Sequence, residues 1–114
     1  MSGMTILCVE DQVENMAALT CMLEGIGYRV MPATNAKQAI DLFAKQPVDG
    51  VLMEYNLPDA LGTYVRAKLK AIRPNVPVLL FDGIGSQTPV MLRFFDSYLR
   101  NMDSIGSHLG DLEA

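Results

Sequence analysis

The sequence predicts an α/β protein, a three-layer sandwich in which a five-stranded parallel sheet is covered by helices on both faces. Short runs of strand-forming residues are apolar without interruption, which is typical of strands buried on both faces. The segments between these runs carry apolar residues at spacings of three and four, the period of an amphipathic helix. Because strands and helices alternate along the chain, the strands are expected to be parallel and joined by crossover helices.

The first half of the chain supplies three strands and two helices. The first helix is expected to be capped by Asp11 and to end at Gly25 and Gly27. Thr34 or Asn35 is expected to cap the second. The three predicted strands are residues 5–9, 28–31 and 50–53.

The second half begins with a turn, Asn56-Leu57-Pro58-Asp59, and its pattern weakens toward the C-terminus. A third helix is predicted over residues 62–72 and the most hydrophobic strand over residues 76–81. The remainder is predicted to form a shortened fourth helix at 87–95, a small fifth strand at 97–99, and a short helix or tail over 102–114.

Composition narrows the class of protein. A chain of 114 residues, half hydrophobic and 19% charged, predicts a single folded domain over residues 1–114 with a core of about 5–101. The net charge of −4 argues against a broad basic surface for nucleic acid. No apolar run reaches the ~18 residues of a membrane span, and no basic signal-peptide region opens the chain. Because the two cysteines form no metal-ligand motif, neither a zinc site nor a disulfide framework is expected. We expect a soluble, cytoplasmic protein.

Acidic residues follow three of the predicted strands. Glu10 and Asp11 end the first strand, Glu54 the third and Asp82 the fourth. The carboxyl ends of parallel strands form one edge of a sheet, where ligands of open α/β sheets bind. These four carboxylates therefore predict a shared acidic pocket suited to a hard divalent cation. The alternative is that each acid caps the following helix or faces water.

Five segments carry a resemblance to a known family: ILCVEDQ, EGIGYRV, VDGVLMEYNLPDALG, VPVLLFDG and DSYL. From about residue 5 to residue 101, the chain resembles the response-regulator receiver domain (CheY-like). The resemblance implies a flavodoxin-like sheet of strand order 2-1-3-4-5. It also implies that Glu10 and Asp11 match the acidic pair that helps to hold Mg²⁺, and that Asn56 matches a residue whose carbonyl binds the metal.

The positions that perform chemistry in this family are altered. The phosphoacceptor aspartate is replaced by Glu54, whose extra methylene misplaces the carboxylate, and ~1 Å of misplacement costs about a hundredfold in rate. By resemblance, Asp82 stands at the Thr/Ser switch position, Asn101 at the lysine position, and Tyr98 at the aromatic switch on strand five. The resemblance therefore implies a degenerate receiver, or pseudo-receiver, that is not phosphorylated and is not an enzyme.

Weak binding of Mg²⁺, Mn²⁺ or Ca²⁺ is expected, with Asp11, Glu54 and Asn56 as ligands, because the acidic pocket has no countercharge of its own. Whether Glu54 imitates a phosphorylated aspartate is left open, and a locked conformation is favoured over a constitutively active one.

The expected role is signal transduction of the two-component type through protein contacts. The partner would be a histidine kinase or a downstream effector, bound through the face of helix 4, strand 5 and helix 5, which could also support a weak homodimer. Two other functions stay open: a receiver that does accept phosphate, and, more distantly, a small metal-dependent hydrolase.

Overall fold

The computed structural model describes residues 3–101 and the backbone of residues 111–113. Its sheet has the order β2-β1-β3-β4-β5, and every neighbouring pair is parallel. The strands are β1 (Thr5–Val9), β2 (Arg29–Ala33), β3 (Gly50–Glu54), β4 (Val78–Phe81) and β5 (Asp111–Glu113). The predicted α/β class and the order of the strands are thereby confirmed.

Four helices lie on the two faces of this sheet. They are α1 (Val13–Ile26), α2 (Ala36–Lys45), α3 (Gly62–Ile72) and α4 (Thr88–Arg100). The side chain of Asn35 caps α2 by accepting a hydrogen bond from the amide of Gln38. Of the two predicted caps, Thr34 and Asn35, the second is therefore confirmed. The predicted cap at Asp11 is wrong, because the N-cap of α1 is Gln12 and its side chain makes no capping bond.

Alternate residues of each strand point to opposite faces of the sheet and belong to two separate apolar cores. On one face, Leu7, Val51 and Leu80 pack with α2 and α3 around Phe43 and Leu69. The other face is covered by α1 and α4, whose Leu19, Leu23, Leu92 and Phe95 pack on the β-strand residues Ile6, Cys8, Leu52 and Leu79. The uninterrupted hydrophobicity of the strands thus follows from burial on both sides. None of the helices in the described ranges is long and apolar enough to cross a membrane.

The last third of the chain departs from the prediction. The fourth helix is not shortened: α4 has 13 residues and continues through the predicted strand at 97–99. The physical reason is the helical spacing of Leu92, Phe95 and Leu99, which form one buried stripe. Burial of this stripe stabilises the helix more than a three-residue strand at 97–99 would be stabilised. The fifth strand is instead Asp111–Glu113, where a C-terminal helix or tail was expected. Residues 102–110 of that prediction lie outside the described part.

Candidate functional site

The carboxyl edge of the sheet brings the predicted acids together around Glu54. This residue ends β3 and is only 6% exposed. Its Oε2 accepts a hydrogen bond of 3.1 Å from the amide of Asn56, and its Oε1 accepts one of 3.0 Å from the amide of Gly83. Both oxygens of the carboxylate are therefore held by main-chain donors, one from its own strand end and one from the segment after β4.

Glu10 is the most deeply buried acid of the pocket, at 1% exposure. Its Oε2 accepts a hydrogen bond of 2.9 Å from the amide of Gln12, whereas its Oε1 has no hydrogen-bond partner among the described residues. The pKa of Glu10 is raised, first by burial and then by the charges of Glu54 and Asp11, against the opposing effect of the Gln12 amide. The protonated form of this carboxyl is thus favoured by its surroundings.

Asp82 and Asn56 lie at the solvent-facing side of the pocket. Both residues are exposed, and the Asn56 side-chain amide donates a long hydrogen bond of 3.4 Å to Asp82. Asp82 follows β4 directly, so that the adjacent amide of Gly83 points at Glu54. Gly83 has a φ of +79°, a conformation that glycine adopts without strain. The sequence signal for this contact is the glycine that directly follows the strand-ending acid Asp82.

The turn after β3 packs against the end of that strand, beside the pocket. Gly62 packs so closely against this strand end that a Cβ there would lie 3.1 Å from the carbonyl oxygen of Glu54 and from the Cα of Tyr55. Within the same turn, the exposed carboxylate of Asp59 accepts hydrogen bonds of 2.8 and 3.0 Å from the amides of Ala36 and Lys37. These bonds lower the pKa of Asp59 and tie the turn to the start of α2.

Two predicted switch residues lie far from this pocket. Tyr98 is buried within α4 and Asn101 is the C-cap of that helix, so the predicted strand at 97–99, which was to carry Tyr98 and precede Asn101, is wrong. Because α4 runs from the carboxyl edge back to the amino edge, its last turn packs near Gly50, at the start of β3. Glu54 ends the same strand. Tyr98 and Asn101 therefore lie near the amino edge of the sheet, opposite the edge that carries the acids.

The pocket fits a divalent cation only in part. The carboxylates are hard oxygen donors, and Oε1 of Glu10, beside Asp11, has no other partner among the described residues. The two oxygens of Glu54 are, however, directed at main-chain amides. Over residues 3–101, no group of three or more His, Cys, Asp or Glu side chains is arranged to hold a metal ion. Glu10 and Asp11 are the residues that would hold one, by supplying negative charge and oxygen ligands.

Comparison with known proteins points to one family. Residues 6–97 match the model of the response regulator receiver domain. The chain is 31% identical over 81 residues to the transcriptional regulatory protein ZraR of Escherichia coli K12, which covers 71% of this chain and 18% of that protein. It is 30% identical over 80 residues to sporulation initiation phosphotransferase F of Bacillus subtilis, covering 70% and 64% respectively. The chain thus spans about a fifth of the length of ZraR.

Solved structures share the same architecture. A CheY-like receiver domain protein from Methanospirillum hungatei superposes with a TM-score of 0.80, at 21% identity, over 92% of this chain and 100% of that one. The receiver domain of the sensor histidine kinase PA1611 from Pseudomonas aeruginosa, solved with a magnesium ion in its active-site cleft, gives a TM-score of 0.68 at 28% identity, covering 79% of this chain and 75% of that one.

Proposed function

The chain belongs to the response regulator receiver domain family, and on that premise we propose that it is a pseudo-receiver, a module of two-component signalling that works without phosphorylation. The observation that carries the proposal is the double anchoring of Glu54. Each oxygen of its carboxylate already accepts a hydrogen bond from a main-chain amide, one from Asn56 and one from Gly83. Both oxygens of the side chain at the acceptor position are thus already engaged by main-chain donors.

Burial and charge add to this argument. A phosphoryl donor must reach the acceptor oxygen in line, but Glu54 is 6% exposed and fixed on both oxygens. Phosphoryl transfer also needs positive charge to balance the transferred group. In the described part of the chain, no lysine or arginine forms an ion pair with Glu10, Glu54 or Asp82. Asp82 instead adds negative charge at the mouth of the pocket, which opposes binding of a phosphate.

The same contact supports a locked conformation. The hydrogen bond from the Gly83 amide to Glu54 holds the segment after β4 against the end of β3. In this proposal the position of that segment, and of the helix α4 that follows it, does not depend on a phosphate. The module then acts through protein–protein contacts, and its partner is a histidine kinase or a downstream effector of the two-component type. A single receiver unit in the cytoplasm fits this role.

The direct test is incubation of the chain with acetyl phosphate and Mg²⁺, read by intact mass. We expect no phosphoryl adduct. The matched control is Glu54→Gln, which keeps the shape of the side chain but cannot form an acyl phosphate. An adduct on the wild type that is absent from Glu54→Gln and is released by hydroxylamine would overturn the proposal in favour of a phospho-accepting receiver.

Metal binding is proposed to be weak and to centre on Glu10 and Asp11. Calorimetric titration with Mg²⁺, together with the melting temperature in millimolar metal, measures it. Glu10→Gln is expected to weaken the binding, whereas Asp41→Asn, on the remote helix α2, is the matched control. If millimolar metal produces neither heat nor stabilisation, the proposed cation binding is wrong. The hydrolase alternative gains no support, because no histidine or lysine contacts the acids in the described residues.

A further inference from the structure

Helices α2 and α3 lie side by side on one side of the sheet and form a surface of their own, which we call the α2–α3 face. Both helices pack on the same core, and each follows a strand of the parallel sheet, so they run in the same direction. The exposed charged and large apolar side chains that define the face are Lys37, Asp41 and Lys45 on α2, and Leu61, Tyr64, Lys68 and Ile72 along α3 and its N-cap.

The basic residues of this protein are concentrated on these two helices. Together with Arg73, the C-cap of α3, the helices carry six basic residues and one acid, a net charge of +5 in a chain whose net charge is −4. The acid, Asp41, is paired with Lys37 at 3.2 Å. Between Asp59 and Asp82 the sequence contains no acidic residue at all. The α2–α3 face therefore attracts anions, although the protein as a whole is acidic.

Large apolar side chains are exposed among these charges. Leu61 is 50% exposed, Tyr64 is 56% exposed and Ile72 is 40% exposed, and all three belong to α3 or its N-cap. The same helix also exposes the small side chains of Ala67 and Ala71. Apolar and aromatic residues beside lysines and arginines are the combination by which helices bind to the interface of an anionic membrane.

The contact between Lys68 and Tyr64 supports such a role. The Nζ atom of Lys68 lies 5.4 Å from the centroid of the Tyr64 ring, and both side chains are exposed. A lysine stem covers apolar surface while its ammonium group stays in a polar layer, and tyrosine is enriched where water meets lipid. Lys70 and Arg73 instead donate hydrogen bonds to main-chain carbonyls, so their charge is held in place beside the exposed pair.

We propose that the α2–α3 face docks on an anionic lipid surface, with Tyr64 at the level of the headgroups and the lysines at the lipid phosphates. A nucleic acid would attract the same cations but would leave Leu61 and Ile72 in water. The basic residues are also spread over two adjacent helices, whose axes lie about 10 Å apart, and this arrangement fits an extended charged plane better than a single acidic peptide. The contact is peripheral, and it does not depend on whether Glu54 accepts phosphate.

Co-sedimentation of the whole chain with sucrose-loaded vesicles tests the proposal. We expect binding to vesicles of phosphatidylcholine and phosphatidylglycerol, no binding to phosphatidylcholine alone, and weaker binding as NaCl is raised, because salt screens the attraction. Lys68→Glu and Lys45→Glu should each weaken binding about tenfold, since each replaces an attraction to the surface by a repulsion. Arg93→Glu, the same change of charge at an exposed position of α4 on the opposite side of the sheet, is the matched control and should bind like the wild type.

Tryptophan fluorescence provides a second measurement. The chain contains no tryptophan, so Tyr64→Trp introduces a single probe at the proposed contact. Its emission should shift to shorter wavelength on the vesicles with phosphatidylglycerol, because the ring leaves water. Phe94→Trp, at an exposed aromatic position of α4, is the matched control and should not shift. Urea unfolding checks that each variant is folded.

Four results would each overturn the proposal. They are no binding to the anionic vesicles at low salt, equal binding to both kinds of vesicle, binding that Lys68→Glu leaves unchanged, and an unshifted emission of Tyr64→Trp. An oligonucleotide or polyglutamate that binds more tightly than the vesicles would also overturn it, and would assign the α2–α3 face to a nucleic acid or to an acidic protein instead.

Discussion

The carboxylate of Glu54 and the main-chain amide of Gly83 are joined by a hydrogen bond of 3.0 Å that links the end of β3 to the segment after β4. A second bond, from the amide of Asn56, completes the anchoring of the same carboxylate. A shorter aspartate at this position ends one methylene earlier. The longer side chain of Glu54 thus reaches across to the neighbouring strand end.

Removing this carboxylate is expected to destabilise the fold. Hydrogen bonds to charged groups contribute about 1.5–3 kcal/mol each, so Glu54→Ala should lower the free energy of unfolding by roughly 2–4 kcal/mol once solvent has partly replaced them. Urea unfolding measures this loss, and hydrogen exchange of the Gly83 amide should quicken. Asp82→Ala is the matched control, because that exposed acid makes only the 3.4 Å contact with Asn56. Equal effects of the two substitutions would contradict the anchoring role.

The sequence predicts an element correctly where its hydrophobic residues follow either the helical or the strand period, and not both. The helix over 62–72 is found at those residues, because Gly62 enters a tight turn and Val65 and Leu69 recur at helical spacing. Prediction fails over residues 97–101, because Tyr98 and Leu99 satisfy both a strand and a helix when read locally. The choice is made by packing: Leu99 and Phe95 fill the space above Gly50, which has no side chain.

The candidate site could be predicted only as a set of acids. The order of the strands places Glu10, Glu54 and Asp82 at one edge, and that much follows from parallel topology. The partner of each carboxylate does not follow, because three of the donors are main-chain amides, those of Gln12, Asn56 and Gly83, whose direction depends on local dihedral angles. Side-chain motifs contain no information about such donors.

The pH dependence of stability is expected to reveal Glu10. Its pKa is raised in the folded protein, so the folded state holds a proton that the unfolded state releases earlier. This contribution to stability is complete below the unfolded pKa and is lost as the pH rises through the folded pKa. Glu10→Gln should therefore be more stable than the wild type at neutral pH, and this difference should shrink as the solution is acidified toward pH 4, about the ordinary pKa of glutamate.

Chemical unfolding at several pH values provides the measurement. Glu24→Gln, an exposed acid at the end of α1, should show no comparable trend. A stability difference for Glu10→Gln that is the same at every pH would show that the buried charge is not its cause.

The docking of α4 against α1 is expected to depend on one polar contact. The hydroxyl of Tyr28, just after α1, donates a 2.5 Å hydrogen bond to Asp96 on α4, and Asp96 also accepts from Arg100. Tyr28→Phe removes the donor and should cost about 1.5 kcal/mol of unfolding free energy. Tyr64→Phe, at an exposed tyrosine, should cost almost nothing. Equal stability of Tyr28→Phe and the wild type would contradict this position of α4.

Two glycines should respond in opposite directions to the same substitution. A methyl group at Gly62 would lie 3.1 Å from main-chain atoms of Glu54 and Tyr55, which cannot move without displacing β3. Gly62→Ala should therefore destabilise the chain by about 1–3 kcal/mol and should also quicken exchange of the Gly83 amide, because the Glu54 strand end shifts. Gly25, inside α1, has no atom within 4 Å of the added methyl, so Gly25→Ala should stabilise the helix by about 0.5–1 kcal/mol. Thermal and urea unfolding of the two variants give the comparison, and a destabilised Gly25→Ala would contradict the open space around an added methyl group at this position.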